Sequence, residues 1–343
     1  MDIGLMTDSV AALSTTQTLD LAADLGLDTV EFATGNWSTA PHVDLDRLLA
    51  DETARAELSA AVSRRGLRVS ALNANGNQLH PVTGAEHDRV VHGTIRLAGL
   101  LGVDTVVLMS GLPAAPGDTT PNWITTCWPP ENTEVLERQW EAAVPYWRRL
   151  AGFARDHGVR LALEMHAHQL VYNAPTLLRL REAVGPVVGA NMDPSHLMWM
   201  GADPIRSVEA LGDAVYHVHA KDTRLASERQ GLTSRLETLP FDRVHERSWN
   251  YVTLGEGHPG GTAFWAAFIT ALRASGYAGT LSIEHEDLAR TPTDGVRRSV
   301  GLLRAALTAE PAEPAEPAEP AEPAEPAEPA EPAEPAEPAA APR

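Results

Sequence analysis

The chain is nearly without cysteine: Cys127 is the only one in 343 residues. No intrachain disulfide can form. Long apolar runs are missing too. The N-terminus, MDIGLMTDSV, has no basic segment ahead of an apolar stretch, and no run is long enough to span a bilayer. A cytoplasmic protein under reducing conditions, with no membrane partner, is expected. Basic charge is scarce: 27 Lys and Arg stand against 46 Asp and Glu, for a formal net charge of −19. A nucleic-acid groove needs a basic stripe, so that class of partner is not expected. No glycine-rich phosphate loop is evident, which gives a phosphorylated substrate little support.

The last stretch has no large apolar residue. From Glu310 it repeats EPAEPAEPA and ends AAAPR. Such a segment cannot build a packed core. A proline in each triplet also removes a backbone donor and blocks a regular helix. An extended, self-repelling, disordered tail over 309–343 is expected, acting as a solubiliser or spacer. Ten glutamates and Arg343 fall within it, leaving about −10 for the rest. Residues 1–308 then suit one large domain.

What is present is a regular alternation. Short β-rich runs fall at Ile3–Met6, Thr29–Phe32, Arg68–Leu72, Thr105–Met109, Arg160–Glu164, Val188–Met192, Ala214–His219 and Thr280–Glu284. Amphipathic stretches such as Thr16–Leu25, Glu86–Leu101, Val135–Asp156, Thr176–Glu182 and Ala263–Ser275 lie between them. Several end in a glycine and a small apolar step, as in LGLDTV, RGLRVS and LGVDTV. Glycine there takes the left-handed helix cap, and the next strand begins. Eight helix–glycine–strand units predict a (β/α)8 TIM barrel. Two long connections, Ser110–Asn132 and Thr223–Gly261, follow strands and so fall on the catalytic face, as lids, binding loops or subunit contacts.

Four residues at the ends of the last strands carry the chemistry: Glu164 in LALEMH, Asp193 in NMDPSH, His219 in HVHAKD and Glu284 in LSIEHED. In a closed parallel barrel those ends converge on one face. Three carboxylates and one imidazole form a hard donor set suited to Mn²⁺, or to Mg²⁺ or Co²⁺. A dication there could polarise a sugar carbonyl or hydroxyl and stabilise an enolate. Side chains at i and i+2 share a face of a strand, so His166 points with Glu164 and is the first candidate for the base. A ligand carboxylate, Glu164 or Glu284, is the competing base. His196 lies one turn past Asp193 and can reach the same space. Lys221 could bind an anion or a keto oxygen, and Asp222 could orient a neighbour. Glu31, Asn36, Asn73, Asn75 and His80 could line a sugar pocket, although turn and capping roles suit them as well. Trp37, Trp123, Trp199 and Trp249 could stack on a sugar or a flat aglycone, or pack in the core.

The set LEMH, DPSHL, HVHAKD and IEHED resembles the xylose-isomerase-like barrel superfamily of sugar isomerases and 3-epimerases, over residues 1–308. That resemblance implies one divalent metal, often Mn²⁺, on Glu164, Asp193, His219 and Glu284, with His196 contacting substrate. EMH with VYNAPTLLRLR, DPSHLMWMGADP, the long segment after HAKD, and SIEHED are similar to the metal-bearing α subunit of bacterial C-glycoside deglycosidases. This narrower likeness implies a lyase for 3-keto C-glycosides, working with a small β-rich partner subunit. His166 would remove the C2 proton beside the C3 ketone, the metal would hold the enolate, and the aglycone would leave from C1. The alternative implied is a sugar or inosose isomerase, or a ketose 3-epimerase, using the same enolisation.

Overall fold

Eight parallel strands close on themselves in the computed structural model, which describes residues 1–309. Apart from Ala309, the expected tail lies outside the described residues. Among the described residues the strands are β1 Asp2–Met6, β2 Thr29–Ala33, β3 Arg68–Asn73, β4 Thr105–Leu108, β5 Arg160–Glu164, β6 Val188–Met192, β7 Val215–Ala220, β8 Asp222–Leu225, β9 Trp249–Val252 and β10 Thr280–Ile283. The barrel runs β1-β10-β7-β6-β5-β4-β3-β2 and closes by β1 pairing with β2. This is the (β/α)8 barrel expected from the alternation. The remaining two strands, β8 and β9, pair antiparallel outside it.

Local sequence accounts for the helix ends. Helix Gly84–Leu101 stops at Gly102, whose φ of 68° is left-handed, and β4 starts three residues later. Helix Thr15–Asp24 opens with a capping box in which Ser14 and Gln17 satisfy each other's backbone N–H. Several helices were not expected from the sequence, among them Glu52–Ser63, Pro194–Met200 and Pro204–Leu211. The last two are short and open on proline at their first positions, where its missing N–H costs nothing.

The strands alternate between two environments, with register shifts at Val30/Glu31 and Ala190/Asn191. Val30, Phe32, Leu161, Leu163, Leu281 and Ile283 belong to the main apolar core that includes residues of the surrounding helices. The intervening positions Ala71, Val107 and Ala162 form a separate small cluster with Tyr216. Further along the same faces come Asn73, Glu164 and, on other strands, Glu31, His217, His219 and Ser282, all buried. Apolar burial thus holds the barrel from outside and leaves its lumen to small and polar groups.

The Thr223–Gly261 connection is not a plain loop. It contains the β8–β9 hairpin and the helix Ser227–Thr233. Asp222 fixes both ends of the excursion: its carboxylate accepts from the backbone N–H of Thr223 at 2.8 Å, Gly255 at 2.8 Å, Gly257 at 3.3 Å and His258 at 3.0 Å. Gly257 must be glycine for this, since a Cβ would sit 2.4 Å from Asp222 Oδ1. Trp199 and Trp249 stack on each other at 4.6 Å with planes 2° apart, and both are buried. They are packing residues rather than platforms for a sugar. Among the described residues no helix is long and apolar enough to cross a membrane.

Replacing Asp222 with Ala strands four backbone donors at once. The expected loss is roughly 2–4 kcal/mol of stability, read from urea unfolding. An unchanged midpoint would show that the insertion is held by other contacts.

Candidate active site

The site is built on a carboxylate at the middle of β2. Glu31 is fully buried and accepts from four side chains. His217 Nε2 lies 2.8 Å from Oε2, His219 Nε2 3.0 Å from Oε1, Ser282 Oγ 2.8 Å from Oε2 and Asn73 Nδ2 3.0 Å from Oε1. Burial alone would raise the Glu31 carboxyl, but the imidazoles of His219 and His217 hold it well below the usual carboxylate range. Glu31 therefore stays ionised and accepts a proton-bearing Nε2 from His219. In the neutral ring the other nitrogen, Nδ1, is then left with its lone pair facing upward.

That nitrogen faces three carboxylates. One donor atom from each of Glu164, Asp193, His219 and Glu284 lies within 4.8 Å of all the others. His219 Nδ1 is 3.2 Å from Glu164 Oε2 and 3.1 Å from Glu284 Oε2, yet neither approach has hydrogen-bond geometry. Asp193 caps helix Pro194–Met200, where its Oδ1 accepts from the Ser195 N–H at 2.8 Å. Its Oδ2 is buried without a hydrogen-bond partner. Two buried polar atoms, one from a strand and one from a helix cap, each without a hydrogen bond and aimed at a shared centre, fit a divalent cation. Metal–ligand bonds of about 2.0–2.2 Å put neighbouring donors roughly 3–4 Å apart, which matches. The charge balance agrees. Burial disfavours the charged form of His219, but Glu31 and Glu284 raise it well above its ordinary value. His196 behaves alike: burial opposes its charge, and Asp193 and Glu164 raise it to about 9. The cluster favours positive charge.

Around this centre stand the groups that could handle a substrate. Glu164 is steadied by Asn75 Nδ2 at 3.0 Å and Asn191 Nδ2 at 3.1 Å, both on Oε2. His196 is buried; its Nε2 lies 3.1 Å from Glu164 Oε1 and 3.1 Å from Asp193 Oδ2, and its Nδ1 lies 2.9 Å from the Tyr251 hydroxyl. His166 is half-buried. Its Nδ1 donates to the Ala167 carbonyl at 2.6 Å, which leaves the lone pair on Nε2. Burial, and then the charge of His196, lower the His166 imidazole below its ordinary value, so it is neutral at neutral pH. Lys221, the only lysine of the chain, spans Glu284 at 3.3 Å and Glu286 at 2.7 Å, with its ammonium over the Tyr251 ring at 4.4 Å. Burial disfavours its charge, but Glu284 and Glu286 raise it well above the usual value and keep it cationic.

Residues 19–306 match the family described as xylose isomerase-like TIM barrel. The chain belongs to that family. Uncharacterized protein YfiH of Bacillus subtilis (strain 168) is 45% identical over 314 residues, covering 90% of this chain and 100% of that one. An inosose dehydratase of Geobacillus kaustophilus (strain HTA426) is 30% identical over 99 residues, 28% of this chain and 32% of that one. Among solved structures, the IOLI protein with a binding zinc atom shares the fold, with a TM-score of 0.62 at 18% identity, over 90% of this chain and 96% of that one.

Within this xylose isomerase-like barrel the structure brings Glu164, Asp193, His219 and Glu284 together, with His166, His196 and Lys221 beside them. It places four other candidates elsewhere. Glu31 and Asn73, expected to touch substrate, lie one layer beneath the ligands and spend their polar atoms on each other, on His217 and His219, and on the Asn75 N–H. For Glu31 the position in the strand explains this, since it is the third of five residues in β2 and does not reach the rim. Asn36 and His80 hold backbone, as Asn36 Nδ2 donates to the Ala74 carbonyl and His80 Nδ1 accepts from the Val82 N–H. Trp37, by contrast, stays 53% exposed with its ring 6.5 Å from that of His166. Sequence reasoning missed Tyr251, Asn191 and Glu286 as contributors. The alternation IEHED did carry a signal for Glu286, which lies two positions beyond Glu284.

Glu31→Gln removes no ligand but weakens the grip on His219. Divalent-metal affinity should fall by about 10–100-fold in a calorimetric titration. Glu284→Gln removes a ligand and should lower metal content after gel filtration; full occupancy in that variant would contradict its assignment.

Proposed function

We propose that this protein is a divalent-metal-dependent lyase acting on 3-keto C-glycosides, the catalytic subunit of a C-glycoside deglycosidase. The observation that carries the proposal is the contact of His166 Nδ1 with the Ala167 carbonyl, which leaves Nε2 as the free ring nitrogen beside the four-donor cluster. A C–C bond to an aromatic ring has no leaving oxygen to protonate, so the acid/base pair of an ordinary glycosidase would gain nothing. A ketone at C3 supplies another route by acidifying the proton on C2. When bound, a cation on Glu164, Asp193, His219 and Glu284 would supply Lewis acidity toward substrate oxygens.

The chain's own residues do the rest. His166 Nε2 takes the C2 proton, and the C–H pair moves to the C2–C3 bond as the ketone becomes an enolate. As the carbonyl re-forms, that pair makes a C1–C2 double bond and the C1–aglycone bond breaks. The departing carbon takes a proton and His166 gives up the one it gained, leaving a 3-keto glycal-type enone and the free aglycone. His196, positioned by Tyr251, and Lys221, positioned by Glu286, border the reacting face and are set to hydrogen-bond sugar oxygens. The likeness to C-glycoside deglycosidases carries with it a small β-rich partner chain.

A second reading shares the first step. An isomerase or 3-epimerase acting on a ketose or inosose would also begin with enolisation, and the local similarity to an inosose dehydratase favours an inosose. The two reactions part after the enolate forms: a carbon group leaves in one, and a proton returns in the other.

The test mixes Mn²⁺-loaded protein with a 3-keto C-glucoside, with and without the candidate partner. Free aglycone is the expected product. His166→Asn should lower release by about 10²–10⁴-fold with metal content unchanged, and retained turnover would remove its role as base. Exhaustive chelation should abolish release in the parent protein. Exchange of C2 hydrogen in D₂O without any release would favour the second reading.

A further inference from the structure

We propose that the cleft between the segment after β1 and the β8–β9 insertion is the leaving-group subsite, shaped for a flat, neutral aromatic ring. This rests on the proposed C-glycoside reaction and names the part of its substrate that the barrel end leaves unassigned.

The cleft holds about 510 Å³, within the range of about 300–1,000 Å³ found for small-molecule sites. Its walls are mostly apolar: Ala11 and Ala12 on one side, Phe241 and Tyr251 on another, Leu288 and Pro292 completing it. Phe241 and Leu288 are 54% and 62% exposed, unusual for large apolar side chains that meet at one concavity. The rings of Phe241 and Tyr251 lie within 17° of parallel at 6.1 Å, which presents aromatic surface rather than rounded aliphatic surface.

Two links join this cleft to the reacting centre. Tyr251, one wall, hydrogen-bonds His196 at 2.9 Å. Glu286, another wall, pairs with Lys221 at 2.7 Å. A substrate whose sugar lies over the metal ligands therefore has this cleft as a neighbouring space.

The polar atoms in the cleft narrow the ligand class. Asp8 and Glu286 are carboxylates, so a phosphate or carboxylate ligand would meet like charge. A second sugar ring would need many more hydrogen-bond partners than these walls offer. A neutral aromatic ring system satisfies both constraints.

The test uses full-length, Mn²⁺-loaded protein with 5,7-dihydroxyflavone as the probe, by calorimetry. Ala12→Trp fills the cleft from a small, exposed position, and Phe241→Ala removes an aromatic wall. Binding should weaken at least about tenfold in the first variant and a few-fold in the second, with metal content unchanged. Hydrogen exchange at C2 of 3-keto-glucose in D₂O should be kept in both. No binding to the parent protein, or equal binding in all three, would overturn the subsite. Flavone binding lost in Ala12→Trp, with no C2 exchange by the parent protein, would leave the subsite standing while the reaction falls.

Discussion

His219 is held at both ends, and the site depends on that grip. Its Nε2 is fixed by Glu31 from below, and its Nδ1 looks into three carboxylates above. The lower contact sets ring orientation and tautomer together. An imidazole free to rotate would offer the wrong nitrogen, or a proton, to any cation. Glu31 can play this part because it is ionised while wholly buried, and it is ionised because four donors converge on it. Those donors come from β3, β7 and β10, so closure of the barrel is itself a condition for the site.

The fold separates two tasks by strand parity. Outward side chains are apolar and hold the barrel against its helices. Inward side chains change from small to polar toward the C-terminal end, where a carboxylate cluster accumulates. Like charges at such distances repel in a medium of low dielectric, a cost that a bound cation offsets. The ligands sit on strand ends and a helix cap rather than on mobile segments, so their geometry precedes any ligand. The insertion after β7 then adds what the bare barrel lacks: Tyr251 to orient His196, and an aromatic wall beside it.

Much of this is legible in the sequence, for definite reasons. Each barrel strand is marked by a β-rich run between glycine-ended helical stretches. The four candidate ligands are legible because all stand at strand ends, where topology alone brings them to one face. Depth within the lumen is not legible. A period of two tells which face Glu31 occupies but not which layer, so a residue of the support looks the same as one of the pocket. Tyr251 is hidden for another reason. It reaches the centre from a hairpin about thirty residues beyond β7, and no short spacing ties it to His196. Trp199 and Trp249 suit a sugar platform by chemistry, yet their mutual stacking emerges only once the insertion is folded back.

The most direct measurement is anomalous scattering from crystals of the full-length protein soaked in Mn²⁺. One strong peak is predicted, at bonding distance from Glu164, Asp193, His219 Nδ1 and Glu284, with His219 Nε2 still on Glu31. A peak on other residues, or none at this cluster at saturating Mn²⁺, would contradict the metal centre on which the proposed chemistry stands.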